Sequence, residues 1–270
     1  MGNTNFNCKK DYSLALHNNI ISVLILKALP LILLFDNVNI MSKRKVQFVK
    51  NNIYHIYNRG VHKNDLYLSD ADYQRWEKLL AWSANYSYSY SLYLQRLLQI
   101  EERAGETEAF IKSFAENYKY SFPLVEILAY VEMPNHYHLI LEQTEDDGIS
   151  RFMQKLSTAY AMYFNERYDV SGSLFQSKFQ AVEVITDEQL VQLLRYVLNN
   201  PLNAKLVKSN YMIYKWSSLS EYTGEKQSEI ISTKRLPSFF SDRQKLINFL
   251  NEEPTESNSD ILVGLEIDSD

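Results

Sequence analysis

The chain has 270 residues, 46% of them hydrophobic, enough for one large domain or a moderate one with appendages. Its one cysteine, Cys8, excludes a disulfide framework and a multi-cysteine zinc site and points to a reducing compartment, so a cytoplasmic location is expected. A formal charge of −5 argues against indiscriminate DNA binding by the whole surface, but the average hides segregation: acidic residues crowd 142–147 and the tail after 225, and basic residues recur from Lys43 to Lys215.

Residues 1–40 read unlike the rest. The apolar stretch 20–35 contains Lys27 and Pro30 and is shorter than the roughly 20 residues that span a bilayer. No small-residue cleavage site follows it. Membrane association is therefore not expected, and 1–40 is taken as an adventitious extension ahead of Met41. The segment 52–60, N-I-Y-H-I-Y-N-R-G, is β-branched and aromatic with a glycine stop, a strand pattern in which His55 is expected to pack. Ser69 then heads a helix as N-cap, with Tyr73, Trp76, Leu79 and Leu80 at core spacing. An insertion at 81–122, rich in Tyr and Ser, holds helical candidates at 92–103 and 106–118. It is expected to modulate the chemistry without carrying it.

In the next stretch Val125, Ile127, Ala129 and Val131 alternate as in a strand, and Met133-Pro134-Asn135 breaks the run as a turn would. In the strand after that turn, side chains alternate between faces, so His136 and His138 share one face while Tyr137 and Leu139 share the other. Two such imidazoles can supply nitrogen ligands to a divalent metal or donors to a phosphate, or can be polar residues on the solvent face of a sheet. A third partner must decide. Residues 149–167 follow the helical period, 168–177 form a loop around Gly172, and 179–185 alternate as a strand. Thr186 and Gln189 form a capping box opening a helix expected to end near Pro201. On this helix Tyr196 and Asn200 fall four apart on a common flank of the apolar stripe, although Asn200 precedes proline, a position biased away from helical backbone. The aromatic segment 211–222 is expected to pack on the domain edge. The remainder, 227–270, should hold one more helix at 236–250 and an acidic tail whose last dozen residues lack order.

The element order predicts an α+β, ferredoxin-like β-α-β-β-α-β antiparallel sheet, with a helical insertion and an additional C-terminal helix bringing Tyr196 over the sheet. On this reading 41–226 is one domain. Six stretches, taken in order, resemble the single-tyrosine HUH transposases, and most closely the REP-associated tyrosine transposase group. They are Y-H-I-Y-N-R-G at 54–60, M-P-N-H-Y-H-L-I-L at 133–141, Y-F-N-E-R at 163–167, G-S-L-F-Q-S-K-F at 172–179, R-Y-V-L-N-N-P at 195–201 and W-S-S at 216–218. The insertion and the N-terminal extension depart from the compact family pattern. The resemblance implies a nuclease and strand transferase acting on single-stranded or hairpin DNA. His136, His138 and Asn200 would bind a divalent metal, Mg²⁺ or Mn²⁺, although imidazole ligands also suit Zn²⁺. Tyr196 would be the nucleophile, forming a 5′-phosphotyrosine without a nucleotide cofactor. Arg59, Lys178 and Arg195 are candidate phosphate contacts, and Phe175 and Gln176 candidate base contacts. Relatives include both monomers and dimers that act across subunits, so a homodimer stays open. The alternatives are a domesticated binder of structured single strands that does not cut, and a metal-dependent phosphodiesterase that uses water.

Overall fold

Four strands in the spatial order β2-β3-β1-β4 form the centre of the molecule. In this computed structural model the described residues are 46–101, 106–227 and 230–252. The chain divides into two units, Met1–Gln47 and Phe48–Asp270, and every described strand and helix lies in the second. The expectations for 1–40 and for the acidic tail beyond residue 252 lie outside the described residues.

The strands are β1 (Ile53–Arg59), β2 (Val125–Met133), β3 (His136–Gln143) and β4 (Gln180–Val184). All pair antiparallel, with β1 between β3 and β4. The two-residue turn Pro134-Asn135 joins β2 to β3, so the register between them is set next to His136, which faces Met133. Two helices, α1 (Asp70–Asn85) and α4 (Gly148–Tyr168), pack against each other on one face of the sheet. There Trp76 of α1 meets Tyr137 of β3 at 4.7 Å and Tyr160 of α4 at 4.9 Å between ring centroids. The opposite face is covered by α5 (Asp187–Asn203), whose Leu193, Leu194 and Val197 are fully buried against Ile53, Val131 and Ile140. A short helix α6 (Leu219–Tyr222), a 3₁₀ turn (Ser238–Ser241) and α7 (Arg243–Asn251) extend this second layer, Leu219, Phe240, Leu246 and Leu250 joining the same core.

The expected architecture is thus present: an α+β fold with the β-α-β-β-α-β order, the insertion as helices α2 (Tyr90–Glu101) and α3 (Thr107–Tyr118), and a further helix carrying Tyr196. The final helical segment is shorter than the predicted 236–250, because Ser238–Ser241 turns as 3₁₀ and Asp242 restarts the chain by capping Lys245 N–H at 3.1 Å. The 211–222 segment covers an exposed flank, as its aromatic content suggested. Backbone and hydroxyl groups of 216–218 bond to Tyr130 and Glu132 along the outer edge of β2, closing donors and acceptors that an edge strand leaves open. Among the described residues no helix is long and apolar enough to cross a membrane.

Candidate active site

The two-residue side-chain period places Ile53, His55, Tyr57 and Arg59 of β1 on the same face as His136, His138 and Ile140 of β3. This is also the face that α5 covers. Tyr196 projects from α5 to 5.5 Å from the His138 ring and 6.3 Å from the His55 ring, centroid to centroid and edge-on to both. His136 stands 5.1 Å from His138 with the ring planes perpendicular. Residues far apart along the chain therefore meet on one side of the sheet.

The imidazoles are held by specific hydrogen bonds. His138 Nδ1 lies 2.9 Å from His55 Nε2, and His136 Nδ1 lies 2.7 Å from Asn135 Oδ1. His138 is 1% exposed. Burial, reinforced by His55, His136 and Arg59, holds its pKa well below the ordinary histidine value, so the ring is neutral. The contact with His55 departs from the expectation that His55 merely packs in its strand. Alternation alone did not reveal it, because the diagonal to His138 exists only in the register that sets His55 opposite Ile140 and Tyr57 opposite His138.

A cleft of about 210 Å³ opens beside the histidines, lined by Tyr57, Arg59, His136, His138, Gln176 and Gln180 among others. Its far wall is the loop before β4. Gln176 N–H donates to Arg59 O at 3.0 Å, Val61 N–H donates to Leu174 O at 3.0 Å, and Asn58 Nδ2 donates to Ser177 O at 2.9 Å, so the loop is fastened to the end of β1. Arg59 and Gln176 thus reach the cleft. Lys178 is exposed on the same loop but outside the lining. Two other candidates lie elsewhere. Phe175 is 8% exposed, its ring near Trp76 and Tyr137 on the opposite face of the sheet. Arg195 is 7% exposed, bonded to Gln192 and Glu252 and stacked 4.1 Å above the Phe249 ring. Tyr57 and Gln180 were not singled out from the sequence, though their two-residue spacing from His55 and Val182 was a usable signal.

Asn200 sits one turn beyond Tyr196, 4% exposed. Its backbone does not leave the helix at Pro201. The Asn200 carbonyl accepts from Ala204 N–H at 2.9 Å, and α5 runs on to Asn203. The proline costs the helix the bond its missing N–H would have donated, but the flanking turns continue. The four-residue spacing of Tyr196 and Asn200 therefore holds on a continuous helix. Two other tyrosines, Tyr160 and Tyr163 on α4, lie across the sheet, where Tyr160 donates to Leu66 O and Tyr163 to Asp72.

The donor chemistry is compatible with a divalent cation. Both histidines use Nδ1 for a hydrogen bond inside the protein, the arrangement by which an imidazole that coordinates through Nε2 is oriented. Among the described residues no cluster of three His, Cys, Asp or Glu side chains stands ready for a metal, so a cation here would need an amide or non-protein ligands beside the two rings.

Residues 93–200 match the model of the family described as IS200-like transposases; the match begins inside α2 and ends at Asn200. A solved structure of a REP-associated tyrosine transposase bound to a REP hairpin is similar over 72% of this chain and 96% of that one, at 13% identity and a TM-score of 0.45. No curated protein matches the sequence.

Proposed function

From the match of residues 93–200 to the model of IS200-like transposases, we propose that this protein cleaves and rejoins single-stranded, hairpin-forming DNA through a phosphotyrosine on Tyr196. The observation carrying this reading is the approach of Tyr196 to within 5.5 Å of His138, on the face that also holds His136. A purely packing tyrosine on α5 has no need of the neutral His138 imidazole beside its ring.

His136, His138 and Asn200 are the residues that would hold the cation, Mg²⁺ or Mn²⁺. When bound, it supplies Lewis-acid polarisation of the scissile phosphate and charge neutralisation. The Tyr196 hydroxyl gives up its proton to solvent as its oxygen attacks phosphorus, the bond from phosphorus to the 3′-oxygen breaks, and that oxygen takes up a proton from solvent to leave as a 3′-hydroxyl. The DNA 5′-phosphate stays on the protein. Rejoining is the reverse attack by a 3′-hydroxyl, and no nucleotide cofactor is required because the phosphotyrosine ester conserves the bond energy. Arg59, which lines the cleft, would contact a phosphate, and the Gln176 and Gln180 amides a base edge or phosphate. Lys178 is an exposed phosphate contact on the same loop.

Purified protein incubated with labelled hairpin DNA and Mn²⁺ is expected to form an adduct resistant to denaturant, absent in Tyr196→Phe. Binding of the DNA by wild type with no adduct across a broad set of hairpins would favour a non-cutting binder. Cleavage that persists in Tyr196→Phe would favour hydrolysis by water.

A further inference from the structure

His55 is fully buried on the inner strand β1, whose backbone is paired on both sides, by β3 and by β4. Its Nε2 lies 2.9 Å from His138 Nδ1, with the two rings nearly parallel at 21° and 5.1 Å apart. Tyr57 packs beside both rings, 5.2 Å from His55 and 6.2 Å from His138 between centroids.

We infer that His55 is a positioning residue for His138, fixing the tautomer and ring angle with which that residue presents Nε2 to a divalent cation; this rests on the metal reading of the site. An imidazole coordinating through Nε2 must carry its proton on Nδ1. That proton can sit there only if the partner accepts it. His138 Nδ1–H therefore donates to His55 Nε2, which obliges His55 to carry its own proton on Nδ1. The opposite arrangement, His55 Nε2–H donating to His138 Nδ1, would leave the His138 proton on Nε2 and block coordination. His136 obtains the same orientation from an amide, the Oδ1 of Asn135, which accepts and has no alternative tautomer. The two ligands are thus set by different devices, a turn residue for one and a strand residue for the other.

The test is Mn²⁺ affinity of the full-length protein without DNA, read by the free-ion electron paramagnetic resonance signal. His55→Phe keeps ring volume but cannot accept a proton, and is expected to weaken binding by about 10- to 100-fold, the usual effect of removing such a partner. His55→Gln, whose amide oxygen can stand where Nε2 stands, is expected to recover most of the loss. Nitrogen-15 correlation spectra of the Mg²⁺-loaded wild type should show the His55 proton on Nδ1. Affinity unchanged in His55→Phe, while His138→Ala loses binding, would overturn the positioning role and leave the metal reading intact. Equal affinity in wild type and His138→Ala would overturn the metal reading itself. If His55→Phe fails to fold, a His55 proton on Nε2 in the loaded wild type would still overturn the inference.

Discussion

Asp72 is fully buried at the start of α1, and its carboxylate accepts from Leu68 N–H, Ser69 N–H and the hydroxyls of Ser69, Tyr163 and Tyr168. Burial works against its charge, but these hydrogen bonds outweigh it and hold the pKa below the usual aspartate value. Glu132, on β2, is also fully buried, and neither carboxylate oxygen has a hydrogen-bond partner among the described residues. Burial first, then Glu77 and Glu221, push its pKa well above the ordinary value against the pull of Lys226. The signs differ. The stability that Asp72 contributes is present above the unfolded aspartate pKa and is lost as pH falls through its lower folded value. Glu132 binds its proton more tightly when folded, so its contribution is full below the unfolded glutamate pKa and declines as pH rises above it. Asp72→Ala is expected to cost about 1–3 kcal/mol in urea unfolding at pH 7, since it removes the capping-box partner of Ser69 and leaves several partly buried donors without their acceptor. Glu132→Gln should flatten the loss of stability as pH rises above the ordinary glutamate value, measured by the same titration in a pH series. Neither network was legible from the sequence. Ser69 was readable as a cap, but Asp72 as a hub requires α4 to bring Tyr163 and Tyr168 to it.

At the scale of elements, the helix bearing Tyr196 depends on its entry. Gln189 N–H donates to Thr186 Oγ1 at 3.1 Å, while Gln189 Oε1 accepts from Ile185 N–H at 2.8 Å and Thr186 N–H at 3.3 Å. Thr186→Ala is expected to lower stability by about 1 kcal/mol in denaturant unfolding. This box was readable from two residues three apart because both partners are local. Gly148, the first residue of α4, was not. A Cβ there would lie 2.1 Å from the backbone oxygen of Leu124, which belongs to the segment entering β2 and cannot yield as a side chain would. Gly148→Ala is expected to cost about 1–3 kcal/mol, visible as a lowered melting temperature. The site candidates divide in the same way. Arg59 and Gln176 reach the cleft because short backbone bonds tie their segments together, whereas Phe175, adjacent to Gln176, faces the core as alternation about the Gly60 bridge requires.

For the molecule as a whole, the insertion is closed at its base. Tyr86 and Lys119 form a β-bridge, Ser87 N–H donates to Tyr118 O at 2.8 Å, and Tyr120 N–H donates to Asn85 O at 2.8 Å. Inside, Trp82 gathers Tyr86, Tyr90, Tyr93 and Phe114 into an aromatic cluster of its own. Replacing 87–118 by a two-residue turn should therefore leave the sheet and the Tyr196 adduct reaction in place, assayed with labelled hairpin DNA. Loss of adduct with retained folding would instead assign the insertion to DNA engagement.

Local chemistry written in neighbouring residues determined much of this protein: strand alternation put His136 and His138 on one face, a cap opened α5, and four-residue spacing joined Tyr196 to Asn200. These depend on periods of two and 3.6 residues, which are properties of the backbone and hold wherever a strand or helix forms. What only the tertiary structure decided is which face α5 covers and which strand lies beside β3. Those choices are made by burial of the apolar stripe on α5 against Ile53, Val131 and Ile140, a contact among three separate strands with no trace in any one segment. The His55 to His138 pair arises from strand pairing of the same kind, since two residues 83 positions apart become neighbours only when β1 lies beside β3 in this register.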